Sequence, residues 1–157
     1  MEIGSDLGYT VFSIQDSFSY LVGIDINRSS VESSNKHPLK TEKIDFIEGT
    51  INTIPYWDYD VIFIDANHEY DYVRKDALLS IKNNKKEDYS LFFHDYGLKG
   101  LGVKKFIHHY FYDNEIIFCG QQKDWNPLGL STSDWEAVCI RINPKITERI
   151  NKGIKIK

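Results

Sequence analysis

The sequence predicts an α/β fold built on a mostly parallel, doubly wound β-sheet. Three short apolar runs are each followed by a carboxylate: residues 20–24 by Asp25, residues 61–64 by Asp65, and residues 90–93 by His94 and Asp95. Segments with helical spacing separate these runs, and two late apolar runs predict strands that close one edge. Alternating strands and helices are typical of a parallel sheet with helices on both faces. Ligands bind such sheets at the carboxyl ends of the strands, so we predict one site near these acids.

The composition indicates one globular domain. The chain has 157 residues, of which 41% are hydrophobic and 14% aromatic, enough for a sizeable core. A formal net charge of −4 gives no support for nucleic acid as a partner. No apolar run is long enough to cross a membrane, and no signal peptide opens the sequence. Cys119 and Cys139 lie in apolar strand-like runs, which indicates reduced core thiols and a cytoplasmic protein.

The first elements surround a glycine turn. The chain starts with the tail of a strand, a turn containing Gly4 and Gly8, and a predicted helix over about residues 8–18. Glycine permits a tight turn and close approach of the backbone to a ligand, although a plain loop would also contain it. The next strand ends at Asp25, roughly 20 residues after the turn. At that spacing an acidic side chain can accept hydrogen bonds from ribose hydroxyls.

The other elements follow from apolar periodicity and from helix start and stop signals. Helices are predicted from Asn27 or Ser29 to before Pro38, over 69–83, and over 103–111. Strands are predicted over 43–48 near an edge, 61–64 with both faces buried, 90–93, 115–119 and 135–142. The basic segment 146–157 has little pattern and predicts a frayed tail. We therefore divide the chain into a domain over 1–143 and a tail over 144–157.

Two histidines and two carboxylates lie at adjacent predicted strand ends: Asp65, His68, His94 and Asp95. Histidine titrates near neutrality, which suits a general base, whereas a lone histidine is more often structural. The clustering favours a catalytic role, with Asp65 as the main candidate. His108 and His109 lie on a helix away from the strand ends and are interpreted as surface or packing residues. Three aromatic residues could form the wall of a pocket or belong to the core: Trp57, Tyr96 and Trp125.

Four segments, in this order along the chain, resemble the class I S-adenosylmethionine-dependent methyltransferases. They are residues 2–8, 22–26, 61–70 and 92–106, and they cover roughly the first two thirds of the chain. The match is most similar to a small O-methyltransferase-like branch. In that branch one strand ends in an Asp-X-X-His-X-Tyr motif, here Asp65 to Tyr70, and the next strand ends in His-Asp. The resemblance implies a Rossmann-like sheet and S-adenosylmethionine as the cofactor.

The resemblance also implies roles for individual residues. The implied cofactor-binding residues are Glu2, Gly4, Ser5, Gly8, Asp25, Ile26, Glu48, Gly49, Thr50 and Asp65. Among these, Asp25 would bind the ribose, and Glu48 to Thr50 would lie near the adenine. Asp65 would lie where the methyl donor meets the acceptor, with His68 and His94 as further catalytic candidates. In metal-dependent relatives, the positions of Asp65, His94 and Asp95 hold Mg²⁺.

Two features depart from the family pattern. The first strand is short, and no segment of this sequence matches the N-terminal helical cap that often shapes the acceptor pocket. We expect that the cap is absent, that another subunit supplies it, or that the natural chain starts earlier. His94 stands where metal-binding relatives often have a carboxylate. Because Mg²⁺ prefers oxygen ligands, this site would suit Mn²⁺, Fe²⁺ or Zn²⁺ better, so a divalent metal is allowed without being expected.

We therefore expect an S-adenosylmethionine-dependent methyltransferase, O-directed, with a small molecule or a sugar as the acceptor. The alternative is a non-catalytic or truncated protein of the same fold that acts as a binding module. A nicotinamide-dependent oxidoreductase is less favoured, because the glycine spacing is not the dinucleotide fingerprint. The shortened sheet would gain from burial against a second copy, so a homodimer is expected.

Overall fold

The computed structural model describes residues 1–54, 57–98, 102–121 and 135–156. The β-strands are β1 Glu2–Ile3, β2 Leu21–Asp25, β3 Ile44–Glu48, β4 Val61–Ile64, β5 Tyr89–Phe93, β6 Ile116–Gln121 and β7 Trp135–Ile142. The α-helices are α1 Tyr9–Ile14, α2 Arg28–Asn35, α3 Tyr70–Asn83, α4 Gly102–Tyr110 and α5 Pro144–Asn151. Within the described part of the chain, no helix combines the length and apolar character needed to span a bilayer.

The seven strands form one sheet in the order β3-β2-β1-β4-β5-β7-β6. Strands β1 to β5 are parallel to one another, whereas β7 runs antiparallel to both of its neighbours, β5 and β6. This confirms the predicted doubly wound sheet with two late strands at one edge. Although β1 has only two residues, it lies between β2 and β4, with Glu2 opposite both Gly23 and Phe63. The strand order reverses beside β1, which is where open α/β sheets bind ligands.

The core lies mainly on one face of the sheet. Ile62, Leu91 and Phe93 are at most 1% exposed and belong to one cluster with residues of α3, α4 and α5. A smaller cluster joins α1 and α2 to β2 and β3. Helices α1 and α2 thus cover the second face of the sheet over β2 and β3, whereas fewer helical residues pack over β4 and β5 on that face.

The prediction that β4 is buried on both faces is wrong. Ile62 and Ile64 are buried, whereas the alternating residues Val61 and Phe63 are only half-buried. Successive side chains of a strand point to opposite faces, so one face of β4 packs on the core and the other does not. A groove of about 220 Å³ lies over this second face and also contacts Phe92 of β5.

The predicted frayed tail is also wrong, because residues 144–151 form α5. The side chain of Asn143 accepts hydrogen bonds from the backbone N–H groups of Lys145 and Ile146, at 3.0 and 3.1 Å. Pro144 occupies the first helical turn, where its missing N–H has no cost. Ile146 and Ile150 are buried one turn apart and attach the helix to the core. The Asn-Pro pair and the apolar residues one turn apart are helix signals that the sequence prediction did not use.

Candidate functional site

A cavity of about 530 Å³ opens at the carboxyl ends of β1, β2 and β4. Its wall is formed by the loops after these strands, by the loop after β3, and by the first turns of α3. The lining residues include Gly4, Asp6, Asp25, Ile26, Gly49, Thr50, Asp65, Ala66, Asn67, Tyr72, Lys75 and Asp76. The cavity therefore lies where the order of the strands reverses.

Gly4 allows the loop after β1 to approach the loop after β4 at one end of this cavity. Its φ is 86°, a left-handed conformation that glycine adopts without strain. A Cβ atom at this position would lie 2.5 Å from both the Cα of Ala66 and the carbonyl oxygen of Asp65. The close approach of these two loops consequently requires glycine.

Asp25 organises the opposite wall of the cavity. One carboxylate oxygen accepts a hydrogen bond from the backbone N–H of Asp6, and the other accepts one from Asn27, both at 2.8 Å. A carboxylate oxygen has two lone pairs, so each can accept a second hydrogen bond from a ligand. The next residue, Ile26, is 75% exposed and gives the rim an apolar contact surface.

The structure brings together six of the ten predicted cofactor residues: Gly4, Asp25, Ile26, Gly49, Thr50 and Asp65. The other four, Glu2, Ser5, Gly8 and Glu48, do not line this cavity. Gly8 packs against the Phe46 ring, which a Cβ atom would approach to 2.5 Å. Glu48 is exposed and lies 3.9 Å from Arg28. Sequence analysis missed the wall contributed by Tyr72, Lys75 and Asp76 of α3, because nothing in a helix sequence indicates which cavity it borders.

Glu2 points to the opposite side of the sheet and lines the apolar groove. It is only 4% exposed, and its Oε2 atom has no hydrogen-bond partner among the described residues. Burial raises the pKa of Glu2 to about 7, because a charged carboxylate loses its hydration there. The strand alternation that places Ile3 toward the cavity explains why Glu2 cannot reach it.

Glu2 should make the stability of the protein depend on pH. The pKa of Glu2 is higher in the folded state than in the unfolded state. As the pH rises, the unfolded state therefore loses its proton first, and the free energy of unfolding falls between about pH 4.5 and pH 7. Glu2→Gln should therefore increase the free energy of unfolding by about 3 kcal/mol at pH 8 and change it little at pH 4.5. Urea unfolding at both pH values measures this difference. The exposed Glu42→Gln is the control, and an equal effect of Glu2→Gln at both pH values would contradict the assignment.

A polar cluster of Asp65, His68, His94 and Asp95 lies beside the cavity, at the ends of β4 and β5. His94 Nδ1 lies 3.0 Å from Asp65 Oδ1 and 3.3 Å from Asp95 Oδ1. His68 Nε2 lies 3.3 Å from Asp65 Oδ1 and 3.4 Å from Asp95 Oδ2, without the angles of a hydrogen bond. Asp95 adopts a left-handed φ of 55°, which is uncommon outside glycine. The structure thus brings all four predicted residues together.

The two closest members of this cluster form an ion pair at neutral pH. The hydrogen bond to Asp65 is the main reason that the pKa of His94 rises to about 9, against the opposing effect of burial. Burial would raise the pKa of Asp65, but its contacts with His68 and His94 outweigh burial and lower it. The pKa of His94 therefore lies above the neutral range that is usual for histidine. A cationic imidazole cannot accept a proton, whereas an ionised Asp65 can.

Helix α4 fixes both loops that carry the cluster. The Tyr96 hydroxyl lies 2.8 Å from His108 Nε2, and the Tyr70 hydroxyl lies 2.9 Å from His109 Nδ1. The interpretation of these histidines as packing residues fits these contacts. Of the three aromatic residues assigned either to a pocket wall or to the core, Tyr96 and Trp57 pack in the core. The third, Trp125, lies outside the described residues.

The donor set of the cluster fits a transition metal better than Mg²⁺. One ligand atom from each of the four side chains lies within 4.8 Å of the others. Two imidazole nitrogens and two carboxylate oxygens suit Mn²⁺, Fe²⁺ or Zn²⁺, whereas Mg²⁺ prefers oxygen ligands alone. His68 is a fourth ligand-type residue beside the three that the resemblance implied.

No protein-family model and no curated protein matches this sequence. Solved structures of methyltransferases do share its fold. The N-methyltransferase NodS from Bradyrhizobium japonicum has a TM-score of 0.58 and 13% identity over 90% of this chain and 84% of its own. The plantazolicin methyltransferase BpumL, solved with S-adenosylhomocysteine, has a TM-score of 0.56 and 13% identity over 90% of this chain and 75% of its own.

YcgJ from Bacillus subtilis has a TM-score of 0.51 and 23% identity over 68% of this chain. The match spans about half of that protein, 48% of its length. Because identities in this range establish the fold alone, the comparisons show that the chain has the Rossmann-like fold of class I S-adenosylmethionine-dependent methyltransferases.

Proposed function

From this fold and its cavity, we propose that the protein is an S-adenosylmethionine-dependent methyltransferase, O-directed and acting on a small molecule or a sugar. The observation that carries the proposal is the cavity at the strand-order reversal, bordered by Gly4 and Asp25. Its volume of about 530 Å³ is within the usual range for small-molecule sites. The polar cluster at one end supplies acid and base groups beside it.

The cofactor fits the residues that line the cavity. Asp25 retains acceptor capacity for ribose hydroxyls, and the absent side chain of Gly4 lets the backbone approach the ligand. Gly49 and Thr50 border the part of the cavity assigned to adenine, and Ile26 gives a flat base an apolar contact. Asp65 lies at the boundary between the cavity and the polar cluster, where the methyl group would meet its acceptor.

When bound, the cofactor supplies an electrophilic methyl group on a sulfonium. Asp65 accepts a hydrogen bond from the acceptor hydroxyl and aligns its oxygen for in-line attack. A carboxylate is a sufficient base, because the hydroxyl proton becomes strongly acidic as the oxygen bonds to carbon. His94 keeps Asp65 ionised and orients it, and His68 Nε2 lies 3.3 and 3.4 Å from the carboxylates of Asp65 and Asp95.

The same cluster could hold a divalent transition metal in the active protein. Asp65, His68, His94 and Asp95 would be its ligands, since their donor atoms already converge. A metal there would act as a Lewis acid toward an acceptor oxygen. The roles of Asp25 and Gly4 in cofactor binding do not depend on it.

The alternative, a methyltransferase-fold protein that acts as an interaction module, is favoured by one observation. The groove over β4 and β5 leaves Phe63 and Phe92 half-buried on a sheet face that parallel sheets normally cover. A second copy of the chain could bury this face, in addition to the shortened sheet from which a homodimer was expected.

Calorimetric titration with S-adenosylmethionine and S-adenosylhomocysteine tests the proposal. We expect micromolar binding by the wild-type protein. Asp25→Ala should weaken it by about 1–3 kcal/mol, or roughly 5- to 150-fold, since the ligand loses a hydrogen-bond acceptor for its ribose. Asp16→Ala, which removes an exposed carboxylate far from the cavity, is the control. A folded wild-type protein that binds neither compound would overturn the proposal and support the interaction module.

A further inference from the structure

Among the residues that the structure describes, four carboxylates line the cavity, and three of them are bound by donors of the protein itself. Asp6 accepts a hydrogen bond from the Ser30 hydroxyl at 2.9 Å. The two oxygens of Asp25 accept backbone N–H groups, and Asp65 is paired with His94. The fourth is Asp76, which has no hydrogen bond or ion pair within the described ranges.

Asp76 nevertheless lies in a partly buried position. It is half-buried in the wall of the cavity, where burial raises its pKa to about 6, and its neighbour Lys75 only partly offsets this effect. A carboxylate that has lost water without gaining a donor destabilises the unliganded protein. A ligand that brings a hydrogen-bond donor to Asp76 would remove this cost.

The position of Asp76 indicates which part of a ligand it would meet. It is the seventh residue of α3, about 9 Å along the helix axis from Tyr70 and hence away from the loop that carries His68. Helix α3 contacts the turn Ile51–Thr53, which follows Gly49 and Thr50, and Ile51 lines the cavity together with Asp76. These observations favour a location of Asp76 in the part of the cavity assigned above to adenine.

We propose that Asp76 is a specificity-determining residue that accepts a hydrogen bond from the exocyclic amine of adenine. The inference rests on the proposed function, because it takes the cofactor as the ligand. An ionised carboxylate is an acceptor only, and the amine is the donor group of the adenine base. A base with a carbonyl group at the same position would face Asp76 with a second acceptor and be rejected.

The test compares S-adenosylhomocysteine with S-inosylhomocysteine, in which a carbonyl replaces the amine, by calorimetric titration. The wild-type protein should bind the adenosyl compound about tenfold or more tightly, as expected for a hydrogen bond to a buried charged group. Asp76→Asn offers an amide that can donate to the carbonyl, so this preference should fall to about threefold or less. Asp71→Asn removes the same charge from an exposed residue of α3 and should leave the preference unchanged.

The melting temperature of Asp76→Asn distinguishes a role of Asp76 in ligand recognition from a role in stabilising the fold. Asp76→Asn should melt at the same or a higher temperature than the unliganded wild-type protein, because an unpaired half-buried charge is removed. An unchanged preference in folded Asp76→Asn would overturn the inference while leaving the proposed function intact. Failure of the wild-type protein to bind S-adenosylhomocysteine would overturn both.

Discussion

Gly4→Ala should abolish measurable binding of S-adenosylhomocysteine, an expected loss of about 100-fold or more. The new Cβ atom would lie 2.5 Å from the backbone of Asp65 and Ala66, so the loops after β1 and β4 must move apart. These loops form the end of the cavity that carries Asp65, so their separation displaces several groups that would contact the ligand, and each lost hydrogen bond costs about 1–3 kcal/mol. Titration calorimetry measures the effect, and circular dichroism establishes that the variant is folded.

Gly153→Ala is the matched control for Gly4→Ala. Gly153 also has a left-handed conformation, with φ of 68°, but no atom lies within 4 Å of the position its Cβ would occupy. This variant therefore has the backbone strain of about 1–2 kcal/mol without the steric clash. Binding should remain as in the wild-type protein. Equal binding by the Gly4 and Gly153 variants would show that the approach of the two loops does not shape the cofactor site.

Arg149→Met should produce the largest loss of stability. The guanidinium donates hydrogen bonds to both carboxylate oxygens of Glu115, at 2.8 and 2.6 Å, and to the carbonyl of Tyr110 at 3.1 Å. The Arg149 and Glu115 side chains are only 15% and 18% exposed. Removing the cation leaves the partly buried Glu115 carboxylate with the backbone N–H of Tyr112, at 2.9 Å, which costs about 3 kcal/mol. The midpoint of thermal unfolding should fall by about 10 °C.

The same helix provides the control for Arg149→Met. Lys152 pairs with Glu148 at 2.6 Å, but both side chains are more than 60% exposed. Exposed pairs of this kind contribute little, so Lys152→Met should leave the unfolding temperature unchanged. The double variant Arg149→Met, Glu115→Leu should recover part of the loss, since no charge then remains buried. If Arg149→Met unfolds at the same temperature as the wild-type protein, the stability of α5 does not depend on this ion pair.

The elements themselves were predictable where the local sequence is consistent with one structure. Helix α3 has apolar residues three and four positions apart, and its predicted range 69–83 differs from the observed Tyr70–Asn83 by one residue. Helix α5 was missed, although Asn143 caps it and Ile146 and Ile150 anchor it. Its eight residues include only two apolar ones, Ile146 and Ile150, and the ion pair of Arg149 is with Glu115, which is distant in sequence.

The sequence by itself determined the sheet, its topological class and the placement of Asp25, Asp65 and Asp95 at strand ends. These features follow from apolar runs and their limits, which are local properties. The tertiary structure alone decided which side chains share a surface. Strand alternation turned Glu2 away from the cavity, the packing of α3 brought Asp76 into it, and the contact with Asp65 made His94 cationic. Burial and charge at a residue depend on neighbours far apart in the chain, and local sequence does not encode them.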